Sequence, residues 1–207
     1  MAKKVIGLIC MLMGALLMAG AAFMIADNQR AEEAAGDESA AVLVQIREAL
    51  AEDGQTGVAA TPRPDEVPAS VPRDMPTLEI DGQSYIGYLE LPTLGLTLPV
   101  MSEWSYEGLR IAPCRYWGSV YDDSLVILAH NYARHFGGIK DLEIGDAVQF
   151  VDADGVIYRY AVSALETLEP GDVNAMTGSG YDLTLFTCTY GGRQRVTVRL
   201  SRMQTFE

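Results

Sequence analysis

Twenty-two consecutive residues, Val5 to Ala26, carry no charge. As a helix they would span about 33 Å, the thickness of a bilayer's hydrocarbon core. The apolar stretch of a secretory leader is usually about 7–15 residues, so this run reads as an uncleaved transmembrane anchor. The small residues Ala19-Gly20-Ala21-Ala22 keep the cleaved alternative open, and both readings export the rest of the chain. Lys3 and Lys4 precede the run and the next basic residue is Arg30, which puts the N-terminus in the cytoplasm and the body outside. Cys10, within the run, reads as an ordinary apolar helix residue and heads no lipobox.

Of the 207 residues, 49% are hydrophobic, enough for a packed core. The balance of 15 basic against 28 acidic residues gives a formal net charge of −13, which argues against a chain that grips phosphate backbones. Three cysteines without a CxxC fit neither a disulfide framework nor a zinc ribbon. The chain divides into four parts. Residues 1–26 are the cytoplasmic end and anchor. Residues 27–53 are acidic and Ala-rich, with Leu43, Ile46 and Leu50 beside Val42 and Ala49 as the stripe of an amphipathic helix that Asp37 or Ser39 would cap. That segment is expected to be a solvated spacer. Residues 54–76 hold Pro62, Pro64, Pro68, Pro72 and Pro76 and read as a stiff linker. The body is 77–207, and removal of residues 1–73 is expected to leave it soluble and active.

Within the body the hydrophobic period is two. Strands are expected at Tyr85–Leu91, Leu96–Val100, Ser124–His130, Ala147–Asp152, Val156–Leu165, Asp182–Thr189 and Arg195–Met203. Turn chemistry stands between them at Asp152-Ala-Asp-Gly155 and Tyr190-Gly-Gly-Arg193, and short helices are expected at Glu103–Leu109 and Ile139–Leu142. Short strands separated by turns, without a long helical pattern, predict an all-β barrel or sandwich.

The last hairpin carries the chemistry. With Gly191-Gly192 as its loop, Tyr190 faces Arg193 and Cys188 faces Arg195, and cross-strand partners have Cβ atoms about 4.5–5.5 Å apart. An even-length loop keeps this register and an odd one breaks it, with Arg193, diagonal to the thiol, as the other candidate. A guanidinium beside a thiol favours the nucleophilic thiolate or stabilises an oxyanion. Taken alone, the pair also fits a buried inert cysteine beside a solvated arginine. His130, ending the apolar strand, supplies a general acid and base, with His135 as its competitor. The histidines and cysteines show no metal-ligand spacing. Papain-like proteases carry Cys before His, whereas no histidine follows Cys188, and the caspase signature is absent.

His, then Cys, then Arg on an exported β-domain resembles the sortases, membrane-anchored cysteine transpeptidases of Gram-positive bacteria. Val126-Ile-Leu-Ala-His130-Asn131 is similar to that family's apolar strand ending in (Gly/Ala)-His, and Leu183-Thr-Leu-Phe-Thr-Cys188 to its Thr-Leu-x-Thr-Cys. Arg195 opens the last strand, and Ile86-Gly-Tyr-Leu-Glu-Leu-Pro92 resembles the first barrel strand. The resemblance implies an eight-stranded β-barrel with short helices behind a transmembrane helix. It implies that Cys188 attacks the Thr carbonyl of an LPXTG-like sorting signal, His130 shuttles the proton, Arg195 binds the carbonyl and oxyanion, and Thr187 and Tyr190 contact substrate. Partners would be surface proteins or pilins and an amine of a cell-wall precursor or pilin lysine, with no cofactor.

The chain departs from the pattern in places. The loop between Cys188 and Arg195 is tight, Glu169–Tyr181 lacks landmarks, and no Asp-Pro-aromatic lid or second span is present, which leans toward wall anchoring. Thr189-Tyr190 is closer to the class B branch than to class A. Cys114 invites a disulfide with Cys188, but oxidation would silence the nucleophile, so it is expected to be a packed free thiol. Two other readings are a cysteine hydrolase with the same triad and a catalytically silent surface-binding β-domain.

Overall fold

The computed structural model describes residues 2–55 and 74–203, so most of the expected linker lies outside the described residues. Two compact units comprise residues 1–34 and 35–207, and helix α1 (Ala2–Gln55) contributes to both. In the first unit the apolar side chains face outward, Leu16, Leu17, Met18 and Phe23 among them. This helix is long and apolar enough to cross a membrane.

The second unit is built on nine strands: β1 (Leu78–Ile80), β2 (Gln83–Leu91), β3 (Leu96–Met101), β4 (Cys114–Trp117), β5 (Leu125–Leu128), β6 (Ala147–Asp152), β7 (Ile157–Leu168), β8 (Leu183–Cys188) and β9 (Arg195–Arg202). Eight of them close into a barrel in the order β2-β3-β4-β5-β8-β9-β7-β6, with β6 returning to β2. Strand β1 is an appended edge paired only with β2 among the described strands. Closure depends on Gly87. It pairs with Val100 of β3 and Asp152 of β6 at once, at φ 135, beside a register shift, and a Cβ there would lie 1.9 Å from the Val151 carbonyl oxygen. Only glycine tolerates that approach.

Alternation sorts each strand into two faces. Leu125 and Ile127 of β5, Leu183 and Leu185 of β8, and Val198 and Leu200 of β9 fill the barrel. Burying each fully stabilises the fold by about 1.5–3 kcal/mol relative to exposure. Their neighbours Val126 and Phe186 therefore point outward, where they join Met176 in a separate cluster.

Another part of the outer wall, around β1 to β4, is covered by the second half of α1. Ala35, Ser39, Val42 and Ile46 are buried at alternating spacings of four and three, one face of a helix. Val42 and Ile46 pack on Tyr85, Met101, Leu109, Ala112 and Cys114. The ion pair Arg47–Glu90 (3.3 Å) and a hydrogen bond from Gln45 to Asp81 (3.3 Å) flank them. The segment expected to be a solvated spacer is thus part of the barrel's wall. Its amphipathic stripe has a partner in the same chain. Neither Asp37 nor Ser39 caps a helix, because α1 is continuous through both.

Candidate active site

The hairpin register is the one its glycine loop predicts. Cys188 pairs with Arg195, and the Thr189 amide donates to the Gln194 carbonyl at 2.9 Å. Because Thr189 and Gln194 form the hydrogen-bonded pair, Cys188 and Arg195 fall at the next, non-bonded position, where side chains stand closest. Strand β5 runs parallel to β8 with Leu128 beside Phe186, and the ladder continues through the Ala129 amide to the Phe186 carbonyl at 3.2 Å. The same register two residues further puts His130 level with Cys188. Cys188 and Arg195 thus pair at the ends of β8 and β9, and His130 follows the end of the adjacent β5 at the matching register. Alternation gives all three the outward face that carries Val126 and Phe186.

Each side chain has its own surroundings. Cys188 is a half-buried free thiol. Arg195 is half-buried, and its guanidinium donates to the Gly192 and Gln194 carbonyls at 3.1 and 3.2 Å, which ties it to the hairpin loop. Burial pushes the His130 pKa down, and the nearby Arg110 guanidinium pushes it further the same way. Arg110 lies on the short helix α2 (Gly108–Ile111). His130 stacks on Tyr132 with centroids 4.9 Å apart.

The other candidates separate clearly. His135 has 0% exposure, with its pKa pushed down to about 4 by burial first and then by His130, so it presents no face to the cleft. Arg193 is exposed on the loop. Thr187, expected at substrate, is turned inward and buried, and its hydroxyl donates to the Ala129 carbonyl at 2.7 Å. It fastens β8 to β5 immediately behind His130 instead. Tyr190 stands 97% exposed at the loop tip. Cys114 is buried under α1 with its pKa pushed up to about 12 by desolvation, and its thiol donates to the Ala112 carbonyl. Strand β5 separates its strand from that of Cys188, and both thiols are free.

Two features of the wall escape the sequence. Arg199, on the same face of β9 as Arg195, is 1% exposed and donates to Glu166 (2.6 Å), the Thr184 hydroxyl (2.9 Å) and the carbonyls of Ala175 (2.6 Å) and Met176 (3.2 Å). It clamps the short helix α3 (Val173–Thr177) over the barrel, so that Met176 packs with Val126 and Phe186. An arginine inside an apolar strand, even-spaced from Arg195, was the signal available. On the other side Tyr116 meets Phe186 edge-on at 5.3 Å and Trp104 at 6.2 Å. Tyr116 and Trp104 border an open cleft of about 530 Å³ that also takes in Trp117 and Asp122.

A family model of the sortase domain matches residues 89–203. The chain belongs to the sortase family. Sortases are cysteine transpeptidases, and the closed eight-stranded barrel agrees with that membership. Among solved structures, sortase C1 from Streptococcus agalactiae is similar at 26% identity and a TM-score of 0.53, over 61% of this chain and 72% of that one. Sortase C1 from Streptococcus suis matches at 27% identity and 0.52, over 59% and 74%. Sortase C-1 from Actinomyces oris shares the fold at 21% identity and 0.51, over 57% and 73%. These sortase relatives are C-type by name, where the pair after the cysteine resembles the B branch. No curated protein sequence matches the chain.

Proposed function

We propose that this sortase is a single-pass membrane enzyme, N-terminus inside and barrel outside, that joins exported proteins to an amine through an acyl-enzyme on Cys188. The observation that carries the reading is the pairing of Cys188 with Arg195, supported by the place of His130 two residues beyond Leu128, which pairs with Phe186, itself two residues before Cys188. Lys3 and Lys4 before the exposed apolar helix support the orientation.

The Cys188 thiolate attacks the carbonyl carbon on the N-terminal side of the scissile bond, and the carbonyl electrons move onto oxygen. Arg195, released from its loop carbonyls, donates two hydrogen bonds to that oxyanion. As the C–N bond breaks, imidazolium His130 gives its proton to the departing amine, leaving a thioester. An incoming amine attacks the thioester, neutral His130 takes its proton, and the thiolate leaves. The open cleft bordered by Trp104, Tyr116 and Trp117, with Tyr116 backed by the buried Phe186, suits an extended LPXTG-like segment with apolar side chains. The acceptor is an amine of a cell-wall precursor or a pilin lysine.

The test is product mass. With an LPXTG-like or NPXTG-like peptide and triglycine, the reading expects a peptide cut after Thr and capped by triglycine. A product capped only by water at saturating amine makes the chain a hydrolase and contradicts it.

A further inference from the structure

The residues around His130 are held from an unexpected direction. From His130 to Gly137 the chain folds back on itself. The Phe136 amide donates to the His130 carbonyl at 3.1 Å, and the His135 and Gly137 amides both donate to the Tyr132 carbonyl at 3.0 and 2.8 Å. These bonds tie His130, Tyr132 and His135 into one turn. Two of its side chains reach α1. Arg134 pairs with Asp37 at 2.6 Å and lies flat across Gly36, where a Cβ would stand 2.3 Å from its Nε. His135 is enclosed, with the Ala35 backbone beside its ring. Tyr132 links these contacts to the site, since its ring stacks on His130 at 4.9 Å and on His135 at 5.6 Å. The same helix also touches the element that carries Arg110. Val42 and Ile46 pack with Leu109 of α2, next to the Arg110 whose charge acts on His130.

We infer that Ala35, Gly36 and Asp37 of α1 are positioning residues of the active site: through Arg134, His135 and Tyr132 they set the place of the His130 ring. The proton shuttle of this sortase is therefore assembled on the juxtamembrane helix as well as on the barrel. Gly36 has a role that its helical setting disfavours, since glycine weakens a helix interior and alanine would strengthen it. What glycine provides is room for Arg134.

The inference rests on His130 being the acid and base proposed above, and its test has one readout that needs no turnover. The full chain in detergent micelles is compared with Gly36→Ala. The expected result is an unchanged or raised melting temperature and a triglycine-transfer kcat lowered about three- to tenfold, with the peptide KM within about twofold. The His130 ring resonances, and its titration midpoint as set by burial and by Arg110, should also shift. Because a lower melting temperature would confuse the kcat arm, Asp37→Arg is made alone and with Arg134→Asp. The single change should move the His130 resonances and the double change should return them. If His130 resonances stay at their wild-type positions in Gly36→Ala and Asp37→Arg, the inference is wrong. Should the wild type transfer nothing, the function proposed above fails, and the resonance arm still decides this one.

Discussion

Cys188 and Arg195 stand directly opposite each other on β8 and β9, at the non-hydrogen-bonded site just before the pair Thr189 and Gln194 that closes the hairpin. A thiol and a guanidinium are thereby held on one face by backbone pairing alone. The guanidinium itself is turned to the Gly192 and Gln194 carbonyls of its own loop, from which it would have to be released to bind substrate.

Arg195→Lys keeps the charge and loses the planar fork. Losing an oxyanion donor costs about 10²–10³ in rate, and a drop of that size in kcat/KM is expected with the fold intact. Arg193→Ala should stay within about twofold of wild type. Steady-state transfer kinetics on both variants check this; the reverse ranking would move the role to Arg193.

Arg110 lowers the His130 pKa because two cations repel, so its removal favours the imidazolium. In Arg110→Gln the His130 titration midpoint should rise, and the protonated fraction at pH 7 with it. An NMR titration of the ring reads this directly, and a fall or no change would remove Arg110 from the site's electrostatics.

His135 carries a stability cost in acid. Its folded pKa of about 4 lies below the ordinary value of 6.5, so between the two the unfolded chain binds more protons than the folded one. Stability from this group is complete above about pH 6.5 and is lost as pH falls toward 4, a contribution of about 3 kcal/mol. In detergent micelles, His135→Phe should flatten the fall in unfolding free energy between pH 7 and 4.5. An equally steep fall in the variant would assign it to other groups.

Arg199→Met removes the shared donor of the Ala175 and Met176 carbonyls and of the Thr184 hydroxyl, while half-exposed Glu166 can rehydrate. A cost of about 2–3 kcal/mol is expected from the buried groups left without their donor. With α3 loosened, Met176 loses its packing on Val126 and on the Phe186 that backs the cleft residue Tyr116, so the peptide KM should rise more than kcat falls. Thermal melts and the KM against kcat split test both parts.

The hairpin at Cys188 and the strands around it were legible because their information is local. A two-fold period and a glycine loop fix face and register without reference to the rest of the chain. Strands β1 and β4 were not, since three- and four-residue segments such as Leu78–Ile80 and Cys114–Trp117 offer too little alternation to register. Nor could composition reveal where α1 would lie. The stripe of Val42, Ile46 and Leu50 announces a helix with one apolar face, but its partner is the outer wall around Tyr85, Met101 and Cys114, contributed by three strands far away in sequence. The inward turn of Thr187 is a matter of parity. It shares a face with Leu185, so its hydroxyl goes to Ala129 and not to the cleft.

Whether Cys188 carries the acyl group is read by intact-protein mass spectrometry. Wild type and Cys188→Ala are incubated with LPXTG-like and NPXTG-like peptides and trapped in acid, then chased with hydroxylamine. The expected result is a wild-type adduct equal to the peptide's N-terminal part minus water, released by hydroxylamine as the hydroxamate and absent from Cys188→Ala. An adduct of the same mass on Cys188→Ala, or amine-capped product formed by that variant at the wild-type rate, would place the acyl group on another residue.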